Sequence, residues 1–394
     1  MKLAGIRVVE IGQVLAAPFA GMIFADLGAE VIKVEKPGGG DDARTMGPEF
    51  RDGASMTFHD VNRGKRSVQV DLKSAEGRAQ LERLLADADV LIHNLRPGEA
   101  ARMGVDAATL MPRFPRLVYC EITAFGHTGP RRLQPGYEPL LQAYSGLVSM
   151  NGSPEGPPAR MGASLVDFGT GMWSVIGILA AVTRRRQTGE GARVDTSLLE
   201  TGMAWMTNPI ANYSASGKLP RRMGSATAML APYEVFESAD AHVFIGCGAD
   251  RMFQKLAAAL GVPELARDPR FARNADRVAN REALHEAIAS VTRARETSEV
   301  VATLRAAGVP VSAVNDLSTL LRDEQVRTLG LHEPMPVNGT SLTAVGTPIR
   351  IDGERGYRPE LAVGVGQDTT DVLAAAGFSA GEIAALAAAG AIGA

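Results

Sequence analysis

The chain has 394 residues, 45% hydrophobic and 22% charged, enough for about two or three domains with full cores. Its net charge of −3, with no long run of one sign, removes the electrostatic case for nucleic acid or an anionic membrane as partner. Cys120 and Cys247 stand alone in apolar runs, which excludes zinc and iron–sulfur spacings and a disulfide framework and marks both as small core residues.

Taken in chain order, "MKLAGIRVVEIG" lacks the apolar core and cleavage site of a signal peptide, so a soluble cytoplasmic protein is expected. "GIRVVEIG" predicts a buried strand. "APFAGMIFADLGA" predicts a helix ending on glycine, and "EVIKVEKPGGG" a second strand stopped by Pro37 and three glycines. "SVQVDL" is a third strand, "SAEGRAQLERLLADA" an amphipathic helix capped by Ser74, and "DVLIHNL" and "RLVYCEITAFG" further strands. Strands and helices alternating at this pace predict βαβ units, a mostly parallel sheet and a Rossmann-like α/β unit. From about Glu138 to Ser216 the pattern is helical. Its uncharged run from Phe168 to Thr183 reads as too short and Gly-rich for a membrane span of ~20 apolar residues. "SASGKLPRRMGSA" reads as a linker and "APYEVFESADAHVFIGCG" as a hairpin. Helices follow, then the strand "VPVSAVND", a strand pair in "TSLTAVGTPIRIDG", and a helix with a Ser379/Glu382 capping box. The expected division is a large domain over 1–213, a linker over 214–226, a small α+β domain over 227–328, and a return to the large domain over 329–394.

The chemistry has few places to sit. The first strand is followed by "GQVLAAPFAG" rather than a dinucleotide fingerprint, and no P-loop, H-E-x-x-H or G-x-S-x-G occurs. His59, His93, His127, His242, His285 and His332 lack ligand spacing, so no metal is expected. Asp167 stands out in "RMGASLVDFGTG": one carboxylate before a long apolar segment, among Gly162, Gly169 and Gly171. The start of a helix stabilises an anion, and glycines let a bulky substrate approach, which together describe a nucleophile. A plain helix cap with glycines for packing accounts for the same residues.

Several blocks, in order, resemble the family III CoA-transferases: "LAGIRVVEIGQVLAAPFAGMIFADLGAEVIKVEKPGGGDDAR", "NRGKRSVQVDLKSAEGR", "LIHNLRPG", "ITAFGHTGP", "GYEPLLQAYSGLVSMNGSPEGPP" and "TGEGARVDTSLLE". The resemblance covers nearly the whole chain. It implies an interlocked, ring-like homodimer and CoA transfer from an acyl-CoA to a free carboxylic acid, with Asp167 as the carboxylate that carries the acyl group and then CoA. Backbone N–H groups near Gly169 and Gly171 are further candidates for stabilising the oxyanions. The resemblance also implies a CoA cleft from Val14, Leu15 and Ala16, Lys36, Val70, Asp71, Leu72 and Lys73, Asn94, Arg96, Arg102 and Tyr137. Lys36, Lys73, Arg96 and Arg102 would face phosphates, and Glu138 would lie beside the reacting centre, orienting CoA or the acceptor. The stretch "MGSATAMLAPYEVF" has one glycine where many relatives have a Gly-rich lid. Thr227 stands where some dicarboxylate-using relatives have His, and Asp368 where His is common. The "APYEVF" stretch leans the reading toward succinyl-CoA and a small dicarboxylate. Two alternatives stay open: an α-methylacyl-CoA racemase of the same fold, and a silent acyl-CoA-binding protein. Racemases of this fold use a histidine where Tyr137 stands in Gly136-Tyr137-Glu138, which leaves His127 as the one nearby substitute.

Overall fold

A computed structural model describes residues 2–337, 340–357 and 360–392. The chain forms two units. One comprises Met1–Leu147, Met161–Ser216 and Arg327–Ala394, and the other Val148–Arg160 with Gly217–Val326. Residues 148–160, read above as part of the large domain, group with the second unit instead.

The large unit is built on a six-stranded parallel sheet. Its strands are β1 (Arg7–Ile11), β2 (Glu30–Glu35), β3 (Arg66–Gln69), β4 (Val90–His93), β5 (Val118–Thr123) and β6 (Ala192–Ser197), in the order β3-β2-β1-β4-β5-β6. Strands buried on both faces read as continuous apolar runs. Val8, Val31, Ile92 and Cys120 enter the core on one face, and Val9, Ile32, Leu91 and Tyr119 on the other. The first face is covered by α1 (Ala16–Asp26) and α5 (Leu165–Thr188). The second is covered by α3 (Ala75–Ala86), whose Ser74 cap accepts from Gly77. Between β2 and β3 lies α2 (Met56–Asn62); α4 (Glu138–Tyr144) precedes α5, and α6 (Leu198–Trp205) follows β6. Two departures from the sequence reading are physical. The edge strand β6 alternates polar and apolar residues, which hid it inside a region read as helical. The run at Phe168 belongs to a 24-residue helix, long and apolar enough to cross a membrane by length and composition, with half of its apolar window buried.

The strand order reverses between β1 and β4. In open parallel sheets the crevice at the carboxyl ends of such strands is where ligands bind. At the far edge, residues distant in sequence complete β3. Asp368 accepts from the Ser67 amide at 2.8 Å and donates its own amide to the Ser67 carbonyl at 3.0 Å. Thr369 accepts from the Gln69 amide at 3.0 Å, and the Ala391 carbonyl accepts from Asp71 at 3.1 Å. Asp368 thus caps a sheet edge. Ser379 and Glu382 form the expected capping box.

In the second unit, β7 (Tyr233–Glu237) and β8 (His242–Gly246) form the expected hairpin, and β9 (Val311–Ala313) pairs with β8. Helices Asp250–Ala259, Arg281–Thr292 and Thr297–Ala306 close a core around Phe236, Ile245, Phe253 and Leu284. The stretch before the hairpin is tied down by side chains. Arg281 donates to the Thr227 and Leu230 carbonyls at 2.6 and 2.8 Å, Asn274 to Met229 at 2.8 Å, and the fully buried Arg277 to Ala231 at 2.7 Å.

Candidate active site

Asp167 is the third residue of α5 and 9% exposed. The flanking glycines serve close packing. A Cβ on Gly169 would come within 2.7 Å of the Trp205 ring. One on Gly171 would come within 2.8 Å of the Ala16 carbonyl oxygen and 3.0 Å of Phe19. Gly171 therefore lets α5 lie directly on the start of α1. Asp167 lies one turn earlier on the same face of α5. Phe168 packs on Phe19 with ring centroids 4.7 Å apart. The amides of Gly169 and Gly171 lie inside the helix, where they donate along its ladder, so they are not oxyanion donors as expected above.

Burial, and then the charge of Glu138, push the Asp167 carboxyl up to about 7. This reverses the expectation of an anion favoured by the helix start, because the dipole's gain of about 1 kcal/mol is smaller than the desolvation of a nearly enclosed carboxylate. Glu138, 4% exposed, opens α4. Its Oε1 accepts from Gln142 Nε2 at 2.6 Å and from the Val166 amide at 3.3 Å. A raised folded-state value means that protonated Asp167 suits the fold. Its contribution is complete below the ordinary 3.8 and lost as pH rises through about 7. Asp167→Asn is therefore expected to raise thermal stability above pH 7, by a few kcal/mol at most. The advantage should fade between pH 7 and 4, as scored by melting temperature against pH; a gain that grew toward pH 4 would contradict this assignment.

The predicted CoA residues gather at the ends of four adjacent strands. Val14, Leu15 and Ala16 follow β1, Lys36 follows β2, Val70–Lys73 follow β3, and Asn94 and Arg96 follow β4. Lys36, Lys73, Arg96 and Arg102 are exposed. Lys36 meets Asp42, and Arg102, on the short helix Glu99–Met103, meets Glu99 at 3.4 Å. Tyr137 is 69% exposed. Four of the expected residues play other parts. The Val70 and Leu72 side chains are buried in the core, leaving backbone only at the edge. Asp71 accepts from the Lys73 amide at 3.0 Å. Asn94 is turned inward, accepting from the Gln13 amide and donating to its carbonyl, both at 2.8 Å, and so it holds the loop after β1.

Beneath that loop lies a buried charge network that the sequence reading missed. Glu10 and Lys33 are register partners on β1 and β2. Lys33 Nζ contacts Glu10 at 2.9 Å, Asp41 at 2.9 Å and the Gly12 carbonyl at 2.8 Å. Lys65 Nζ contacts the other Glu10 oxygen at 2.7 Å, Asn62 at 2.8 Å and the Pro18 carbonyl at 2.8 Å. Burial alone would raise the Glu10 carboxyl, but the two lysines hold it below the usual range. Burial pushes Lys65 down to about 8. Asp41 also accepts from the Val14 amide at 3.0 Å. Val14 has φ 67, a conformation costing a β-branched residue about 1–3 kcal/mol, so the network and Asn94 together hold a strained loop in shape. The signal was present: a Glu and a Lys, each inside an apolar strand, need partners.

His127 sits with Asp195 at 3.3 Å and Arg193 at 3.1 Å, beside Glu121. Glu121, His127 and Asp195 are close enough to share an ion, but Arg193 already bridges the two carboxylates at 3.1 and 2.8 Å.

A model of CoA-transferase family III matches residues 3–369. The chain belongs to CoA-transferase family III. Succinate–glutarate CoA-transferase of Agrobacterium fabrum is 39% identical over 354 residues, 88% of each chain. Acetyl-CoA:oxalate CoA-transferase of Acetobacter aceti is 37% identical over 363 residues, 91% of this chain and 92% of that one. A CaiB/BaiF family protein from Brucella suis has a crystal structure with TM-score 0.86 and 38% identity, covering 94% of this chain and 98% of that chain. As a family III CoA-transferase the protein is an enzyme with acyl-CoA as substrate, on a mixed α/β fold with a central parallel sheet.

Proposed function

We propose that this enzyme moves CoA from succinyl-CoA to a small dicarboxylate through Asp167. The observation that carries the reading is a nearly enclosed carboxylate in the first turn of α5, pushed up toward neutrality beside Glu138, on the helix face that packs on the start of α1. A raised proton affinity makes the ionised form a better nucleophile at a pH where much of it is present. Asp167 Oδ attacks the thioester carbonyl and the C–S bond breaks, giving a mixed anhydride and CoA thiolate. The thiolate attacks the Asp167 carboxyl carbon, the anhydride C–O bond breaks, and the donor acid leaves an enzyme–CoA thioester. The acceptor carboxylate attacks that thioester and the same two steps run in reverse, restoring Asp167. The relatives named for succinate–glutarate and acetyl-CoA:oxalate transfer support a dicarboxylate acceptor. A screen of acyl-CoA donors against organic acids, read by mass spectrometry, tests the choice. Succinyl-CoA with a dicarboxylate is the expected best pair, and transfer confined to monocarboxylates would reject it.

The same reading takes the fold as a Rossmann-like large domain with a smaller α+β domain, in a soluble cytoplasmic homodimer of interlocked rings. The exposed Met172, Trp173 and Ile176 on α5, with Met203 and Trp205 on α6, support a second copy covering this face. Removing Lys36, Lys73, Arg96 or Arg102 singly should raise KM for acyl-CoA about 3- to 30-fold, and KM for the free acid less, since each removes binding to phosphate rather than chemistry. Unchanged acyl-CoA kinetics in all four variants would place the cleft elsewhere. Racemisation needs proton carriers on both faces of the α-carbon. Tyr137 stands where racemases of this fold carry a histidine, and His127 is engaged with Asp195 and Arg193. No enzyme-dependent uptake of solvent deuterium into a 2-methylacyl-CoA is therefore expected. Uptake rivalling CoA exchange, and lost in His127→Ala, would assign an isomerase.

A further inference from the structure

We propose that Gln142 is a positioning residue of the transfer reaction, fixing Glu138 as the acceptor that faces the first turn of α5; this rests on the reading of Asp167 as nucleophile. Gln142 lies one helical turn after Glu138 on α4 and is 1% exposed. A carboxamide so buried needs partners for both of its ends. Its oxygen accepts from the Met161 amide at 2.9 Å. Its nitrogen donates to Glu138 Oε1 at 2.6 Å, with the Met161 carbonyl at 3.4 Å. The Met161 N–H commits the oxygen, so the NH2 group turns to Glu138. Two donors, from Gln142 and Val166, then converge on one carboxylate oxygen and fix its direction.

That direction matters because Glu138 is the charge that acts on Asp167. Of the elements packed on the start of α5, α1 carries one charged residue, Asp26, at its other end and paired with Arg63 at 2.8 Å. Helix α6 carries Glu200, bonded to Ser197, and α4 carries Glu138 alone. On β5 and β6, Cys120 and Val194 turn toward the α1–α5 core. The intervening Glu121, Arg193 and Asp195 turn away from it and hold one another. Gln142 thus tunes the nucleophile without touching it, through the orientation of a neighbour. It also ties α4 to the segment that enters α5, since Met161 lies four residues before that helix begins.

The test is the pH profile of kcat/KM, which reports the free enzyme, for wild type, Glu138→Gln, Gln142→Met and the double variant. Wild type should lose activity below about pH 7. In Gln142→Met, Glu138 loses the donor that aims it at the first turn of α5, its charge acts less on Asp167, and the acid limb should move down by up to about one pH unit. The double variant should move no further than Glu138→Gln alone, because both act through one group. The same displacement should appear without turnover, in the pH range over which Asp167→Asn stabilises each protein. An unmoved acid limb in Gln142→Met, or a shift additive with Glu138→Gln, overturns the proposal. Failure of Gln142→Met to fold, both alone and with Glu138→Gln, assigns Gln142 to the fold and also overturns it. If Asp167→Ala retains transfer, the nucleophile reading is what has failed, a result distinct from any of these.

Discussion

Asp167→Ala is expected to lower CoA exchange by at least about 10⁴-fold, because it removes the atom on which both covalent intermediates form. CoA binding and the fold should survive, since removing the buried carboxyl also removes the stability cost of its ionised form. Hydroxylamine or borohydride added during turnover should leave an adduct on the peptide spanning Leu165–Thr188 in wild type and none in the variant. The pairing of results matters. Lost exchange with retained binding of CoA, measured by calorimetry, separates a reacting carboxylate from a helix cap. Exchange at a wild-type rate would end the mechanism.

Lys33→Met is expected to destabilise the large unit by about 3–5 kcal/mol, the range for stripping one partner from a buried charge set. Lys33 is 1% exposed and serves Glu10, Asp41 and the Gly12 carbonyl at once. Its loss leaves two buried carboxylates, with Lys65 the remaining cation on Glu10. Adding Glu10→Gln should restore part of the loss, since one uncompensated charge is removed with it, so the double variant should fall short of the summed singles. Denaturant titration of the four proteins supplies the cycle. A loss below about 1 kcal/mol for Lys33→Met would mean that water reaches the network.

What was legible in the sequence follows the reach of each interaction. Five strands of the large sheet declare themselves because burial on both faces demands short, mostly apolar β-branched stretches, as in "RVVEI" and "VLIH". The strand Ala192–Ser197 did not, because its outer face is polar and no local run marks it. Asp167 was visible through its glycine frame and the blocks around it, but its ionisation was read in the wrong direction, since depth of burial is not a local property. Glycines 169 and 171 were credited with oxyanion binding although their neighbours, Trp205 and Ala16, come from distant segments. Asn94 looked like a cleft residue, and only the fold shows it reaching back to Gln13.

The completion of strand Arg66–Gln69 by residues some 300 positions later bears on how the chain is made. While the ribosome is still building the middle of the protein, Ser67 and Gln69 present open amides and carbonyls on an exposed edge, the template on which strands of other chains add. The segment around Asp368 and Thr369 that covers this edge must be synthesised before it can dock. Closing so long a loop ahead of its reward is slow. The large unit therefore cannot finish folding during synthesis of its own sheet, and its nascent form depends on delayed cover, in the period when aggregation competes with folding.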